Sequence, residues 1–308
     1  MENIENVAKS VLLMDKQLRE KLLVKGGKVQ SKKLWEHTHI KKQIDRRKSG
    51  DTFTATNHIR AMVYSMLTSG ASWNRLEPYI DIETGRIWIV DEIFYQYDVD
   101  KLLCTDPSEL VGQITAYTLG TPYIKNQMNA LINTNIEKLL ALEKGYGSID
   151  NFYQSIINTD STMKTLVKEL SAAGRPHKFA QLGEALTAEY LRNVGYDIAK
   201  PDRHIRRILG SDIFVCSDKK VVPINEAFDI VAAIANALKK DTAEVDYILW
   251  SYCANGYGEI CTLKNPKCQH CVAKQLQIYR IKNIVNRRMK MDNNKIRTLK
   301  KVLEFKMI

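Results

Sequence analysis

Ile260-Cys261-Thr262-Leu263-Lys264-Asn265-Pro266-Lys267-Cys268-Gln269-His270-Cys271 is the stretch on which the reading of this chain turns. With Cys253 it places four of the six cysteines within 19 residues, at the spacing C-x7-C-x6-C-x2-C. Thiolates are soft ligands that suit both zinc and iron–sulfur clusters. Four-cysteine zinc sites usually pair their ligands as two short knuckles. Only Cys268 and Cys271 are spaced that way, and the longer gaps favour a [4Fe–4S] cluster over zinc. Its role would be structural. It would fix an irregular loop bearing Lys264, Lys267 and Lys274 in one shape that can follow a phosphate backbone.

The rest of the composition agrees with such a partner. The 308 residues are 44% hydrophobic and 26% charged, with a net charge of +11, the profile of a globular protein drawn to polyanions. No apolar run approaches the ~20 residues of a membrane span. Met1-Glu2-Asn3-Ile4-Glu5 has no basic region ahead of a greasy one. The expectation is therefore a cytoplasmic chain with reduced thiols and no secretory leader.

Upstream of the cysteines, Lys200-Pro201-Asp202-Arg203-His204 presents an aspartate where a short helix, His204–Leu209, should begin. Asp202 can be a catalytic carboxylate or simply the cap of that helix. Around this turn the pattern is helical, with segments of 8–20 residues separated by short turns. Val7–Leu23, His58–Leu67, Val90–Tyr97, Ser108–Tyr117, Tyr123–Lys144, Ser148–Ile157, Ser161–Ala173, Gly183–Val194, Ala227–Lys239 and Ala243–Cys253 read as helices. Asp51 or Thr52 is the expected cap of the second. Ile213–Cys216 and Lys220–Val222 are the only strand signals and suggest a small hairpin. The fold class is all-α. Residues 1–50 and 276–308 read as basic extensions on either side of a domain at 51–275. The stretch from Lys28 to Lys48, with Trp35, His37 and His39, is either a DNA-facing arm or a solvated linker. The tail beyond Ile278 is either a DNA-contacting helix or a plain surface one.

The cysteine stretch resembles the iron–sulfur loop of endonuclease III-like DNA glycosylases, of the form C-x6-C-x2-C with a proline two before the second cysteine. Val245–Trp250 with Gly256 and Gly258 looks like the helix that precedes it. That family's fourth cysteine follows the C-x2-C pair by six residues, where this chain has Gln277, so Cys253 would have to supply the ligand from the preceding helix. Asp202-Arg203-His204-Ile205 resembles the V-D-x-H motif of the same helix–hairpin–helix superfamily, whose aspartate is catalytic. Glu143–Tyr153 looks more like 3-methyladenine glycosylases, and Met66-Leu67-Thr68-Ser69 with Trp73 is similar to the end of the family's first helix. The resemblance spans residues 55–275.

What the resemblance implies is a fold of two helical lobes around a helix–hairpin–helix with a C-terminal iron–sulfur loop. It implies a monomer that removes a damaged base from double-stranded DNA by hydrolysing the N-glycosidic bond, with Asp202 as the catalytic residue. Metal ligands would be Cys253, Cys261, Cys268 and Cys271. DNA contacts would come from Arg175, His177, Lys178, Gly183, Arg203, Lys264 and Lys267. Arg206 and Arg207 either meet phosphates or cover a helix surface. The hairpin departs from the family's glycine-rich L-P-G-V-G, having Lys178-Phe179-Ala180-Gln181-Leu182-Gly183 instead. The slot of the family's Schiff-base lysine falls near Glu184, and residues 180–188 hold no lysine. That implies a monofunctional enzyme, with Lys178 the nearby candidate for a lyase. Trp73, Tyr190 and Tyr196 are candidates for stacking on a flipped base, although Tyr190 reads first as core. Asp197 reads as a turn residue before a second pocket carboxylate. Two other functions fit the same residues: a catalytically silent iron–sulfur or zinc protein that binds nucleic acid, and a zinc-stapled module whose basic surface meets a protein.

Overall fold

A computed structural model describes residues 2–24, 31–70, 73–158, 160, 162–272 and 274. The start of the Lys28–Lys48 stretch and the basic tail lie outside them. Fourteen α-helices occur among the described residues: α1 (Glu2–Val24), α2 (His39–Lys48), α3 (Ala55–Leu67), α4 (Trp88–Ile93), α5 (Val99–Leu103), α6 (Pro107–Ala116), α7 (Ile124–Ala130), α8 (Ile136–Tyr146), α9 (Ile149–Ile157), α10 (Lys164–Ser171), α11 (Glu184–Asn193), α12 (Arg203–Ile208), α13 (Ile224–Leu238) and α14 (Thr242–Cys253). The protein is all-α, and the one β-bridge among these residues joins Ile80 to Ile87.

Apolar spacing explains most of the packing. Ile59, Met62, Val63, Met66 and Leu67 form a stripe on α3 that packs against α11. α3 starts at Thr54, whose N–H donates to Asn57 Oδ1 at 3.1 Å, not at Asp51 or Thr52. α3 to α11 form one group of helices. α1, α12, α13 and α14 form a second, in which α1 lies across α13 and α14. The long helix expected over Tyr123–Lys144 is helical throughout but contains a π-turn, Leu131–Asn135, between α7 and α8. The extra residue in that turn buries Asn135, which clasps Ala180 of the hairpin through Nδ2–H to its carbonyl at 3.0 Å and from its N–H to Oδ1 at 2.8 Å. π-turns in α-helices often mark such specialised contacts.

Two expectations are corrected. The strand pair at Ile213–Cys216 and Lys220–Val222 is an irregular loop. A single bond crosses it, Ser211 N–H to the Lys219 carbonyl, because the N–H groups of Phe214, Val215 and Cys216 are spent on the carbonyls of Ile208, Gly210 and Leu209 at the end of α12, and that of Val222 on Arg206. Residues up to 50, read as an extension, belong to the body where they are described. Val7, Val11, Met14 and Leu18 are core residues. Lys33 is buried between Glu77, at 2.8 Å, and the Gly256 carbonyl, at 2.9 Å. Trp35 tilts against Tyr247.

The helices enclose polar groups that make the fold sensitive to acid. His58 is wholly buried, with Nδ1 2.6 Å from the Tyr190 hydroxyl, which in turn meets the Tyr153 hydroxyl at 2.7 Å. Burial pushes His58 down to about 4, overriding the opposing pull of Asp150 at 3.7 Å. Burial likewise lowers His39 to about 3, with help from Arg60, Arg86 and Arg46. Both imidazoles are therefore neutral when folded, and the unfolded chain takes up protons first. Stability is whole above about pH 6.5 and drains as pH falls toward 4, His58 alone accounting for up to about 3 kcal/mol. Urea midpoints measured across this window are expected to fall steadily on the acid side; a flat profile would count against neutral, buried histidines.

Candidate active site and cysteine loop

α10 and α11 pack against each other and are joined by the turn 172–183, the stretch where a helix–hairpin–helix was expected, and the chain then runs through a short extended segment to α12. Asp202 caps α12. Its Oδ1 accepts the N–H groups of His204 at 2.7 Å and Ile205 at 3.1 Å. The capping role is therefore real, and it leaves Oδ2 without a hydrogen bond among the described residues. The carboxylate is half-buried, and Arg203 beside it is exposed.

Behind Asp202 lies a group of charges that the sequence reading passed over. Asp246 on α14 is 1% exposed. Its Oδ1 accepts the backbone N–H of Lys200 at 2.9 Å, and its Oδ2 accepts Arg192 Nη1 at 2.6 Å. Arg192 also donates from Nε to Glu189 at 2.7 Å. Lys200 Nζ reaches the same Glu189 oxygen at 3.3 Å and Thr68 Oγ1, at the end of α3, at 3.4 Å. Two cations serve Glu189, so its carboxyl lies below the usual range although burial opposes this. Asp246 shares a single cation and feels Asp202, so burial prevails and raises it to about 6. Removing one member of such a group would leave a buried charge uncompensated, at a cost of about 3–5 kcal/mol. The signal was present in the sequence: Glu189 and Arg192 are an i,i+3 pair, and Asp246 is a lone charge inside the apolar run of α14.

At the other end of α12, Arg207 turns inward to the cysteines. Its guanidinium lies 3.7 Å from Cys261 Sγ and 3.6 Å from Cys253 Sγ, and it also donates to the Cys261 carbonyl. Cys253 and Cys261 hydrogen-bond to each other. That bond, reinforced by Arg207, lowers Cys261 to about 6, while the same bond and burial raise Cys253. Cys271 lies against the Tyr252 hydroxyl, and Cys268 is exposed. The loop is pinned from α1: Gln17 donates to the His270 carbonyl and accepts from Tyr252, both at 2.8 Å. Gly256 leads into it with a φ of +79° and donates its N–H to Glu259 at 2.8 Å, and a side chain at that position would run into Asn74. Among the described residues no group of three or more side chains is gathered closely enough to hold a metal ion. By residue type the donors fit a soft metal; by position, Cys253 and Cys261 converge and Cys268 stands apart.

The chain matches no protein-family model and no curated protein. A solved structure is similar to it: Methanocaldococcus jannaschii 8-oxoguanine glycosylase/lyase in complex with a 15mer DNA containing 8-oxoguanine. The likeness has 20% identity and a TM-score of 0.46, and covers 78% of this chain and 96% of that one.

The other candidates divide by where they lie. Gly183 precedes α11 with open space around it and an ordinary φ of −85°. Arg175 is exposed but 3.5 Å from Glu169, which also holds His177 at 2.7 Å. Lys178 points inward, its Nζ donating to the Ser171 carbonyl at 2.9 Å. Lys264 and Lys267 are exposed on the cysteine loop. Arg206 and Arg207 both hold loops within the body, Arg206 at the Val222 carbonyl and Arg207 at the cysteines. Tyr190 and Tyr196 are core residues and not stacking platforms, with Tyr196 bound to Asp150 at 2.9 Å. Trp73 is partly buried against the core. Asp197 accepts the Thr242 and Ala243 N–H groups at 3.0 and 2.8 Å, so it caps the start of α14 from 45 residues away, a tertiary role that neither expectation included.

Proposed function

We propose that the protein is a monofunctional DNA glycosylase, a hydrolase that removes a damaged or modified base from double-stranded DNA. The observation that carries this reading is the placement of α12. It follows the α10–α11 pair, bears Asp202 at its exposed beginning, and is joined through Arg207 to the cysteine loop at its end. The target base leaves the stack and enters a pocket. As the N-glycosidic bond breaks, positive charge develops on the sugar. The Asp202 oxygen not used by the cap stabilises that charge and orients or deprotonates water, as carboxylates do in glycoside hydrolysis generally. Glu184 occupies the first turn of α11, and Lys178 is spent on a carbonyl. No described amine there is offered to the sugar, which supports hydrolysis without a lyase step.

Cys253, Cys261, Cys268 and Cys271 are the proposed ligands of a [4Fe–4S] cluster, with zinc the alternative metal. When bound, it supplies a covalent cross-link that fixes the loop bearing Lys264 and Lys267. The chemistry at the base is left to Asp202. No helix among the described residues is long and apolar enough to cross a membrane.

The test is base release from duplexes carrying alkylated or oxidised bases. A second reading, a silent nucleic-acid-binding protein, is favoured by the hairpin, where Glu169 faces Arg175 and His177. Binding without release from any such duplex would select it. Either way, affinity for DNA is expected to fall steeply with salt. Residues 275–308 carry ten Lys or Arg against two Asp or Glu. Deleting them should flatten the slope of log affinity against log salt; an unchanged slope would place the phosphate contacts on the body.

A further inference from the structure

We propose that Asp246 is the positioning residue of the Asp202 turn. This rests on the reading of the chain as a glycosylase and adds to it a residue that touches neither DNA nor the reacting atoms. Asp202 is attached to the body at two points. One is its own cap on α12, which fixes Oδ1 relative to the helix. The other lies two residues earlier, where the Lys200 N–H is accepted by Asp246 Oδ1 at 2.9 Å. The Lys200 carbonyl in turn accepts the Asp202 N–H at 2.7 Å. The path from Asp246 to the Asp202 backbone is thus two hydrogen bonds, and the cap on His204 and Ile205 then fixes the Asp202 side chain.

Asp246 is held in place by Arg192, and Arg192 by Glu189. α14 and α11 are therefore clamped together at the point where they meet the turn. Lys200 Nζ carries the clamp on to Thr68 at the end of α3. The arrangement sets the position of Asp202 relative to both groups of helices. A buried, fully partnered group of this kind suits that task, because its members cannot move independently without leaving a charge unpaired.

The experiment compares Asp246→Leu, a near-isostere without the acceptor, with Asp246→Asn, whose amide oxygen can accept the same N–H. Single-turnover base release at saturating DNA is measured beside DNA affinity and amide hydrogen exchange at Lys200, His204 and Ile205. Displacement of a reacting group by about 1 Å can cost about 10²-fold in rate, and a loss of that order is expected for Asp246→Leu. DNA affinity should stay at the wild-type level, and Asp246→Asn, which keeps the acceptor for Lys200 but turns an amide N–H toward Arg192, should recover part of the rate. Wild-type rates in Asp246→Leu, or losses of rate and affinity in parallel, would overturn the proposal. If the wild type releases no base from any duplex, amide exchange still decides. Faster exchange at His204 and Ile205 in Asp246→Leu but not in Asp246→Asn upholds the positioning role while the glycosylase reading fails; unchanged exchange defeats the positioning role itself. Should Asp246→Leu not fold, Arg192→Met/Asp246→Leu removes both charges of the pair and is read in the same way.

Discussion

Asp202→Asn is expected to lower base release by about 10²–10⁴-fold, the range spanned by loss of a positioned acid–base group, while folding and DNA binding stay close to wild type. The structure makes this substitution unusually informative, because Asp202 has two roles that Asn separates. As a cap, Oδ1 accepts from His204 and Ile205, and Asn caps a helix about as well as Asp. As a carboxylate, the other oxygen has no partner among the described residues, and only its charge can stabilise a cationic sugar. Asn therefore keeps the first role and loses the second. Asp202→Ala removes both, and should add a stability loss of about 1 kcal/mol to the loss of rate. The single-turnover rate and the thermal midpoint of each variant check the prediction. A rate preserved in Asn and lost only in Ala would make Asp202 a helix cap and nothing more.

Much of this arrangement was legible in the sequence because it is local. The Asp202 cap, the α9 start at Ser148 and the helices α6, α9, α11 and α14 follow from turn residues and apolar period acting within a few positions. What escaped the reading depends on distant chain. The π-turn that aims Asn135 at the hairpin leaves the apolar stripe of α7 and α8 almost unchanged, so periodicity alone cannot register it. Lys33 reads as one of a run of solvated lysines and is buried, because Glu77 and the Gly256 carbonyl arrive from elsewhere to meet it. Tyr196 reads as a possible stacking surface and is core, because Asp150 and Arg47 close over it. Arg206 and Arg207 look alike in sequence, but one holds a loop carbonyl and the other the cysteines.

The cysteine loop gives the second large expected effect. Anaerobically purified protein should be brown, with about four irons and four sulfides per chain, and Cys253→Ser should lose both. Cys253 is the residue to change because it decides the ligand set. The C-x6-C-x2-C run supplies three thiolates, and the fourth must come from α14, where Cys253 already meets Cys261 beside Arg207. Metal bound by folded ligands contributes its binding free energy to folding. A loss of even about 3 kcal/mol would lower the thermal midpoint by roughly 6–12 °C. The stability that remains would come from Gln17 and Tyr252, which hold the loop without metal. Cys104→Ser, on the exposed end of α5, should keep its iron and serves as the control. Iron retained in Cys253→Ser would remove Cys253 from the ligand set. A colourless protein with one zinc would leave the loop a zinc-held element and weaken the case for a glycosylase, so that Asp202→Asn alone would have to carry it.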